Sequence, residues 1–424
     1  MEQQKRILVV VGRYYPVMTA NEVCAQNLID YYFRLGFNVD VICLSHPRIK
    51  APLVYKQSCI YTVKPDFRLK LFILSEFYEN KFKGKLYRFF GKMSSIIRKI
   101  IFFPVLPLTT IALPNRYYSK IKELTSTNKY YGLITICQPL EACIGTAKLK
   151  KKNILPIPWV VFCVDTFLDS WGVLHNNTQS KFYKSPMLYK LFLRYCDGYL
   201  YMASRTDEYN QNDLLKWHDK LCVADLPMLN FTEKKEIPVS DIDETEENYG
   251  YFGSLGGIHY KYNDLLDFFF SLPNDKKRTL HFFSRGHALS KLELSRCNDY
   301  KKIIMHGYVE SELMSAYANK MNYLISLKYS NQISAKTFQY ISFCKPIIHF
   351  SGCKDDPDIP YLKQYPTCLI LNDFSNINND VKLFLNWKPT VNFNKESLLE
   401  IYKMNTPSCN VTNINVFFER FWNI

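Results

Sequence analysis

Short apolar runs alternate with amphipathic helical segments along most of this chain, and this alternation constrains the fold more than any other feature. The first run, Ile7 to Val11, stops at Gly12. The stretch "ANEVCAQNLIDYYFRLGF" then carries apolar residues at helical spacing, and "NVDVICLSH" follows as a second buried run. A strand, a helix and a strand in this order form a βαβ unit with parallel strands. The sequence therefore predicts a parallel sheet with helices on its faces.

The alternation continues in two series separated by a polar segment. "YYGLITIC", "PWVVFCVD" and "DGYLYMAS" extend the first series, and "YGYFGSL", "RTLHFFS" and "MNYLISLKYS" belong to the second. Between them, "NFTEKKEIPVSDIDETEEN" contains a proline and turns acidic, as interdomain linkers do. A chain of 424 residues is too long for one ordinary domain. We predict an α/β fold with a first domain at 1–230, a linker at 231–248, a second domain at 249–405, and a C-terminal helix at 406–424 that packs back toward the first domain.

Composition indicates a folded protein with an anionic partner. A hydrophobic content of 47% and a charged content of 22% are typical of globular proteins. No uncharged apolar stretch reaches about 18 residues, and the N-terminus lacks the features of a signal peptide. The 13 cysteines form no CxxC pair, and several lie inside apolar runs, as free thiols of a reducing compartment do. We expect a cytoplasmic protein, and its net charge of +15 favours phosphates, nucleic acid or an acidic membrane surface.

The region from residue 81 to residue 120 breaks the alternation. It reads "KFKGKLYRFFGKMSSIIRKIIFFPVLPLTTIALPNRYYSK", which interleaves basic with apolar residues and contains no acid. One interpretation is an interfacial helix resting on anionic lipid at the inner face of the cytoplasmic membrane. The other is an amphipathic helix with its apolar side in the core and a solvated basic face. The sequence alone leaves both open.

A helix with a lysine in its first turn stands near the end of the second series. In "NQISAKTFQYISFCKPIIHF", Ser334 is a suitable N-cap for a helix that starts near Ala335. The free amides and positive dipole of such a helix favour a phosphate, and Lys336 adds charge at the same place. Gln339, one turn further, faces the same side and can hydrogen-bond a sugar hydroxyl. The alternative is a surface lysine that extends its stem along the helix start.

The ordered motifs of the chain resemble those of a known enzyme family. "HGYV", "ELMSAYANKMNYLISL" and "SAKTFQYISFCKPII" are similar to the nucleotide-sugar domain of GT-B-fold glycosyltransferases, in particular the large retaining, family 4-like group that builds bacterial surface polysaccharides. "ILVVVGRYYPVMTANEVCAQNLIDYYFRLGFNVDVI" and "CDGYLYMAS" are similar to their N-terminal domain. The resemblance covers nearly the whole chain. It implies two tandem Rossmann-like, doubly wound parallel-sheet domains that face each other across a cleft.

The resemblance also implies where a donor would bind. The two glutamates of the family's donor site fall on Asn331 and Gln339, which are both amides here. The family's arginine after the first strand of the second domain falls on Ser254, and the lysine that follows it matches Lys261. A nucleotide-diphosphate sugar would therefore lie mostly against the second domain, held by amide and lysine side chains.

The mechanism that the resemblance implies depends on stabilising a diphosphate leaving group. The groups that would do so are Lys261, Lys336, Arg285 and the backbone amides near Ser334. No cofactor and no metal ion would be needed, and the configuration would be retained by front-face attack. Asp165 matches the position near the acceptor, where it would orient that substrate or, alternatively, cap a neighbouring helix.

The resemblance implies an enzyme of capsule, O-antigen or exopolysaccharide synthesis that acts on a saccharide or a lipid-linked saccharide. The amides at Asn331 and Gln339 leave room for a catalytically degenerate binding subunit of the same fold. A sugar-nucleotide epimerase is a third reading. Nucleic acid is not expected as a partner, because the chain lacks a recognised nucleic-acid module. The eight histidines are dispersed without metal-ligand spacing, so we expect most of them to be structural or on the surface.

Overall fold

The structure is a computed structural model. It describes residues 5–14, 20–48, 53–55, 57–78, 81–101, 112–137, 139–164, 190–206, 212–231, 237–253, 262–284, 289, 291–307, 309, 311–329, 333–372, 376–390 and 395–423.

The chain divides into two compact units. The first unit comprises Met1–Pro227 together with Met404–Ile424, and the second comprises Met228–Lys403. A strand of the second unit begins at Glu247, so the last two residues of the predicted linker lie in that strand rather than before it.

In the described part of the chain, fourteen strands form two sheets, and each of the predicted apolar runs forms a strand. In chain order they are β1 Arg6–Val10, β2 Asn38–Leu44, β3 Leu53–Tyr55, β4 Ser58–Val63, β5 Gly132–Ile136, β6 Trp159–Cys163, β7 Gly198–Met202, β8 Leu221–Ala224, β9 Glu247–Phe252, β10 Arg278–Phe283, β11 Lys301–Met305, β12 Tyr323–Lys328, β13 Ile347–Ser351 and β14 Cys368–Leu371.

Helices separate the strands. In chain order the α-helices are α1 Ala20–Arg34, α2 Phe67–Phe77, α3 Phe82–Ile101, α4 Ala112–Thr127, α5 Leu140–Lys151, α6 Asn263–Ser271, α7 Lys291–Leu294, α8 Ser311–Lys320, α9 Ala335–Ser342, α10 Ile359–Leu362, α11 Ile377–Asn386, α12 Lys395–Ile401 and α13 Pro407–Trp422. The described residues after β7 contain 3-10 helices at Ala203–Arg205 and Asn212–Lys220.

Both sheets are doubly wound. The first has the order β3-β4-β2-β1-β5-β6-β7-β8, and its pairs are parallel except at the edge, where β3 runs antiparallel to β4. The second has the order β11-β10-β9-β12-β13-β14 with parallel pairs throughout. In each sheet the first strand in sequence lies in the middle, so the chain winds outward in both directions. This confirms the predicted pair of doubly wound parallel-sheet domains.

The C-terminal helix completes the first unit. Helix α13 packs against α1, and the Tyr32 hydroxyl donates a 3.0 Å hydrogen bond to the Asn415 side chain. The Phe418 ring fills the space in which a Cβ at residue 132 of β5 would lie, and the Phe417 ring does the same at residue 198 of β7. Two strand glycines therefore make slots for two aromatic rings of this helix.

Candidate functional site

The second sheet changes its winding direction between β9 and β12. These strands are neighbours in the sheet, yet β9 leads to β10 on one side and β12 leads to β13 on the other. Ligands of doubly wound folds bind outside the carboxyl ends of the strands at such a switch point. Here Gly253 follows β9, Lys328 ends β12, and α9 begins shortly after β12. The candidate site is built from these three elements.

Lys336 of α9 extends its ammonium group over the end of β9. A Cβ placed on Gly253 would overlap the Lys336 Nζ, and this Nζ lies 5.5 Å from the centre of the Tyr251 ring. Burial, with repulsion from Lys328 as a smaller cause, lowers the pKa of Lys336 to about 8. Lys336 thus places a poorly solvated positive charge at the switch point, where the bare backbone of Gly253 leaves room for it.

Tyr340 fixes this part of α9 to β9. Its hydroxyl accepts a 3.0 Å hydrogen bond from the backbone N–H of Phe252. Tyr340 lies one turn after Lys336 on the same face of the helix. The bond therefore also fixes the distance between Lys336 and the end of β9. Gln339 is partly buried on the same helix.

The start of α9 agrees with the sequence, but the capping group differs. Ser334 is the N-cap and has an extended backbone with φ −93° and ψ 121°. Within the described part of the chain, its hydroxyl makes no capping hydrogen bond. Asp358 caps instead: its carboxylate accepts 2.9 Å hydrogen bonds from the Ser334 N–H and the Thr337 hydroxyl. The Ser334 amide, expected to be open to a phosphate, is therefore bonded to a carboxylate.

Asp358 belongs to a buried charge network. Its Oδ2 lies 3.2 Å from the Lys328 Nζ, and burial raises the pKa of Asp358 although Lys328 opposes the shift. Its own N–H donates to Asp356 Oδ1 over 2.9 Å. Asp356 Oδ2 lies 2.8 Å from both His349 Nε2 and Ser351 Oγ. Burial would raise the pKa of Asp356, but these hydrogen bonds and the His349 charge together lower it. The network holds the ends of β12 and β13 and the start of α9 in one arrangement.

Five predicted site residues lie outside the described residues. They are Asp165, Ser254, Lys261, Arg285 and Asn331. Of the predicted set, Lys336 and Gln339 lie on α9, and Ser334 is its N-cap.

Sequence reasoning missed a buried histidine pair in the second unit. His281 of β10 and His306 after β11 lie 2.8 Å apart through Nδ1 and Nε2, and Asn248 Oδ1 lies 2.9 Å from His281 Nε2. His306 Nδ1 in turn lies 3.1 Å from Asp241 Oδ2. Burial, with His306 as a smaller cause, lowers the pKa of His281 to about 4. Neighbouring positions on adjacent strands, rather than spacing along the chain, are the signal that could have found this pair.

The first unit carries polar groups at its own switch point, between β1 and β5. After β1, the Arg13 N–H donates a 2.9 Å hydrogen bond to Glu22, and the Arg13 guanidinium contacts both Glu76 oxygens at 2.9 and 2.7 Å. Arg13, Glu76 and His46 line a concave surface. In the described ranges of both units, no group of three or more His, Cys, Asp or Glu residues could hold a metal ion.

Comparison with solved structures shows the fold. The lipopolysaccharide outer core galactosyltransferase WaaB, in its apo form, aligns with a TM-score of 0.52 and 12% identity over 97% of this chain and 98% of its own. An α-glucosyltransferase aligns with a TM-score of 0.54 and 13% identity over 98% and 100%. Trehalose-6-phosphate synthase OtsA aligns with a TM-score of 0.53 and 9% identity over 99% and 98%. The fold is GT-B, as the sequence predicted.

No protein-family model matches the chain, and no curated protein sequence matches it. No helix in the described part of the chain is both long enough and apolar enough to span a membrane.

Proposed function

We propose that this chain is a glycosyltransferase that moves a sugar from a nucleotide-diphosphate sugar to a saccharide or lipid-linked saccharide. The observation that carries the proposal is the Lys336 ammonium over Gly253 at the switch point of the second sheet. Burial makes that charge costly, and a bound diphosphate would supply an anion next to it. Solved GT-B structures with UDP-glucose or UDP bound support uridine diphosphate as the first nucleotide to test.

In this proposal Lys336 stabilises the charge that develops on the diphosphate as the glycosidic bond breaks. The diphosphate lies beside the Lys336 ammonium, which occupies the space above Gly253, and the Gln339 amide hydrogen-bonds a ribose hydroxyl. The remaining donor contacts are assigned to Ser254, Lys261, Arg285 and Asn331. The Ser334 amide is not among them, because it donates to Asp358. Asp165 orients the acceptor. The leaving phosphate oxygen takes the acceptor proton, so the configuration is retained without a metal ion.

The sequence resemblance supports a role in surface polysaccharide synthesis at the cytoplasmic side of the membrane. One of the similar folds, a galactosyltransferase of lipopolysaccharide outer core, also supports a role in surface polysaccharide synthesis. Capsule, O-antigen and exopolysaccharide are the products this includes.

A second candidate is a binding subunit that holds the nucleotide-sugar without turning it over. The amides Asn331 and Gln339 favour it, because they stand where the resembling enzymes carry glutamates. An amide can hydrogen-bond a sugar but carries no negative charge.

The test is a thermal-shift screen of the purified chain against UDP, GDP, ADP, CMP and their common sugars. A ligand that binds the folded state raises the melting temperature by mass action. We expect one nucleotide series to raise it and Lys336→Ala to abolish the rise. Lys382→Ala, which removes an exposed lysine of α11 in the same unit, should leave it unchanged. The selected sugar nucleotide is then incubated with saccharide acceptors, and nucleotide release and product mass are measured.

Release with a glycosylated product supports the enzyme. Binding without release under any acceptor condition supports the binding subunit. No shift with any nucleotide in a folded sample contradicts both.

A further inference from the structure

Helix α3 turns its apolar face away from the rest of the described chain. Its large apolar side chains fall on one arc of ~120° at 3.6 residues per turn. Phe82, Phe89 and Ile96 are 80%, 58% and 60% exposed. The other exposed members of the arc are Leu86, Phe90, Met93 and Ile97. Single exposed apolar residues are ordinary, but a contiguous stripe of seven marks an interaction surface.

The opposite side of α3 is the side that packs. Among the residues of α3 whose burial the structure describes, Gly84 and Gly91 are buried. A Cβ on Gly84 would overlap the Tyr78 carbonyl oxygen, and one on Gly91 would lie 3.3 Å from the Phe72 ring of α2. The helix therefore contacts α2 through two glycines, and the apolar arc is directed away from that contact. This contradicts the interpretation in which the apolar side of the helix enters the core.

Basic side chains border the exposed arc. Lys85 and Lys92 follow one edge in the helical projection and Lys83 lies at the other, all of them exposed. Lys81 and Arg88 add to the charge, and no acid occurs from residue 81 to residue 120. A partner that covers this surface must offer apolar material at its centre and negative charge around it. The interface of an anionic phospholipid bilayer has this layout, with acyl chains below a layer of phosphates.

We propose that α3 docks this protein on anionic phospholipid membranes. The arc from Phe82 to Ile97 enters the acyl boundary, while Lys83, Lys85 and Lys92 contact lipid phosphates. The proposal goes beyond the proposed function and does not depend on it.

Helix α3 is connected to the sheet of the first unit through α2. It packs on α2. Glu76 of α2 forms an ion pair with Arg13, which follows β1, and the Glu76 carboxylate lies 2.7 Å from the Arg13 guanidinium. His46 after β2 also contacts the Phe77 ring of α2, with 6.1 Å between ring centres. A membrane bound by α3 would thus lie beside the carboxyl edge of this sheet, where the first unit offers its polar groups.

The experiment is flotation of the full chain with vesicles of phosphatidylcholine alone and of phosphatidylcholine with a quarter phosphatidylglycerol. We expect binding to the anionic vesicles, at least tenfold weaker binding to the neutral ones, and loss of most binding in high salt, which screens the lysines. The double variant Ile96→Ser/Ile97→Ser should lower the partition coefficient at least tenfold. The variant Lys85→Gln/Lys92→Gln should lower it only on anionic vesicles.

The matched controls change exposed residues of α11 and of the segment that follows it. Leu383→Ser/Leu385→Ser removes two leucines with 46% and 50% exposure, and Lys382→Gln/Lys388→Gln removes two exposed lysines. Both controls should bind vesicles like the unaltered chain. Because all the altered side chains are exposed, circular dichroism should show unchanged folding in every variant.

Two outcomes would overturn the proposal. One is the absence of binding to either vesicle, or binding that the α3 variants do not change. The other is a dimer in analytical ultracentrifugation that dissociates in Ile96→Ser/Ile97→Ser and does not float, which would assign the surface to a second copy of the chain.

Discussion

At the scale of single residues, Lys336 combines two properties that rarely occur together. It lies in the first turn of a helix, where the dipole disfavours a cation, and it is partly buried beside another lysine. Both effects penalise its charge, and neither helps α9 to form. A charge kept in such a place is typical of binding sites rather than of structural positions.

We expect nucleotide affinity to fall as the pH rises through the pKa of Lys336, which is about 8. The protonated fraction decreases about fourfold between pH 7 and pH 8.5, so the affinity for UDP should decrease by a similar factor. Isothermal titration calorimetry at the two pH values measures it. The control is Lys336→Arg, whose guanidinium stays charged over this range. Equal pH dependence in both proteins would assign the effect to another group.

The residue scale also shows where prediction from sequence stops. The start of α9 and the position of Ser334 follow from local preferences, and both are present in the structure. The capping carboxylate is not local, because Asp358 is 24 residues further along the chain. The pairing of His281 with His306 likewise depends on the register of β10 against β11. Contacts of this kind exist only once the sheet has formed.

At the scale of elements, the start of α9 is held by a carboxylate that itself needs a partner. Asp358 is fully buried and pairs with Lys328, whose side chain is 5% exposed. Removing one member of a buried ion pair leaves the other charge without compensation. The geometry of the candidate site therefore depends on the Asp358–Lys328 pair.

We predict that Asp358→Ala lowers the free energy of unfolding by about 3–5 kcal/mol, because Lys328 loses its carboxylate and α9 loses its cap. Urea denaturation at pH 7 measures the change. Asp355→Ala, an exposed neighbour in the same loop, should change stability by less than about 0.5 kcal/mol. A loss below about 1 kcal/mol in Asp358→Ala would show that the pair does not hold the site.

The elements themselves could be read from the sequence wherever an apolar run is buried on both sides, as in β1, β5 and β6. The orientation of α3 could not. A helical projection shows which residues share a face, but it does not show which face packs. Gly84 and Gly91 decide this, because a close approach to α2 is possible only on the side without Cβ atoms.

At the scale of the whole molecule, the first unit is discontinuous in sequence. Its sheet comes from the part of the chain before the second unit, but α13 comes from the end, after the entire second unit. This helix is strongly anchored. Phe417 and Phe418 occupy the glycine slots of β7 and β5, and the Trp422 indole donates a 2.9 Å hydrogen bond to the Tyr131 carbonyl.

We predict that Phe418→Ala destabilises the first unit by about 3–5 kcal/mol, since a fully buried ring is lost from its slot. Hydrogen exchange followed by mass spectrometry should show faster exchange in β5 and β6, with β9 to β14 unchanged. Phe421→Ala on the same helix, at 37% exposure, is the control and should have little effect. Faster exchange in both units would mean that their unfolding is coupled.

The aromatic slots also set an order of events during synthesis. When the ribosome has finished β8, Gly132 and Gly198 still lack the rings that fill them, and those rings are made only after residues 228–403. At ~5–20 residues per second this interval lasts about 9–35 s. Throughout it the nascent first unit lacks the two rings that pack on these glycines. Chaperones that hold nascent chains have a defined window in which to act on this protein, and it closes when α13 leaves the ribosome.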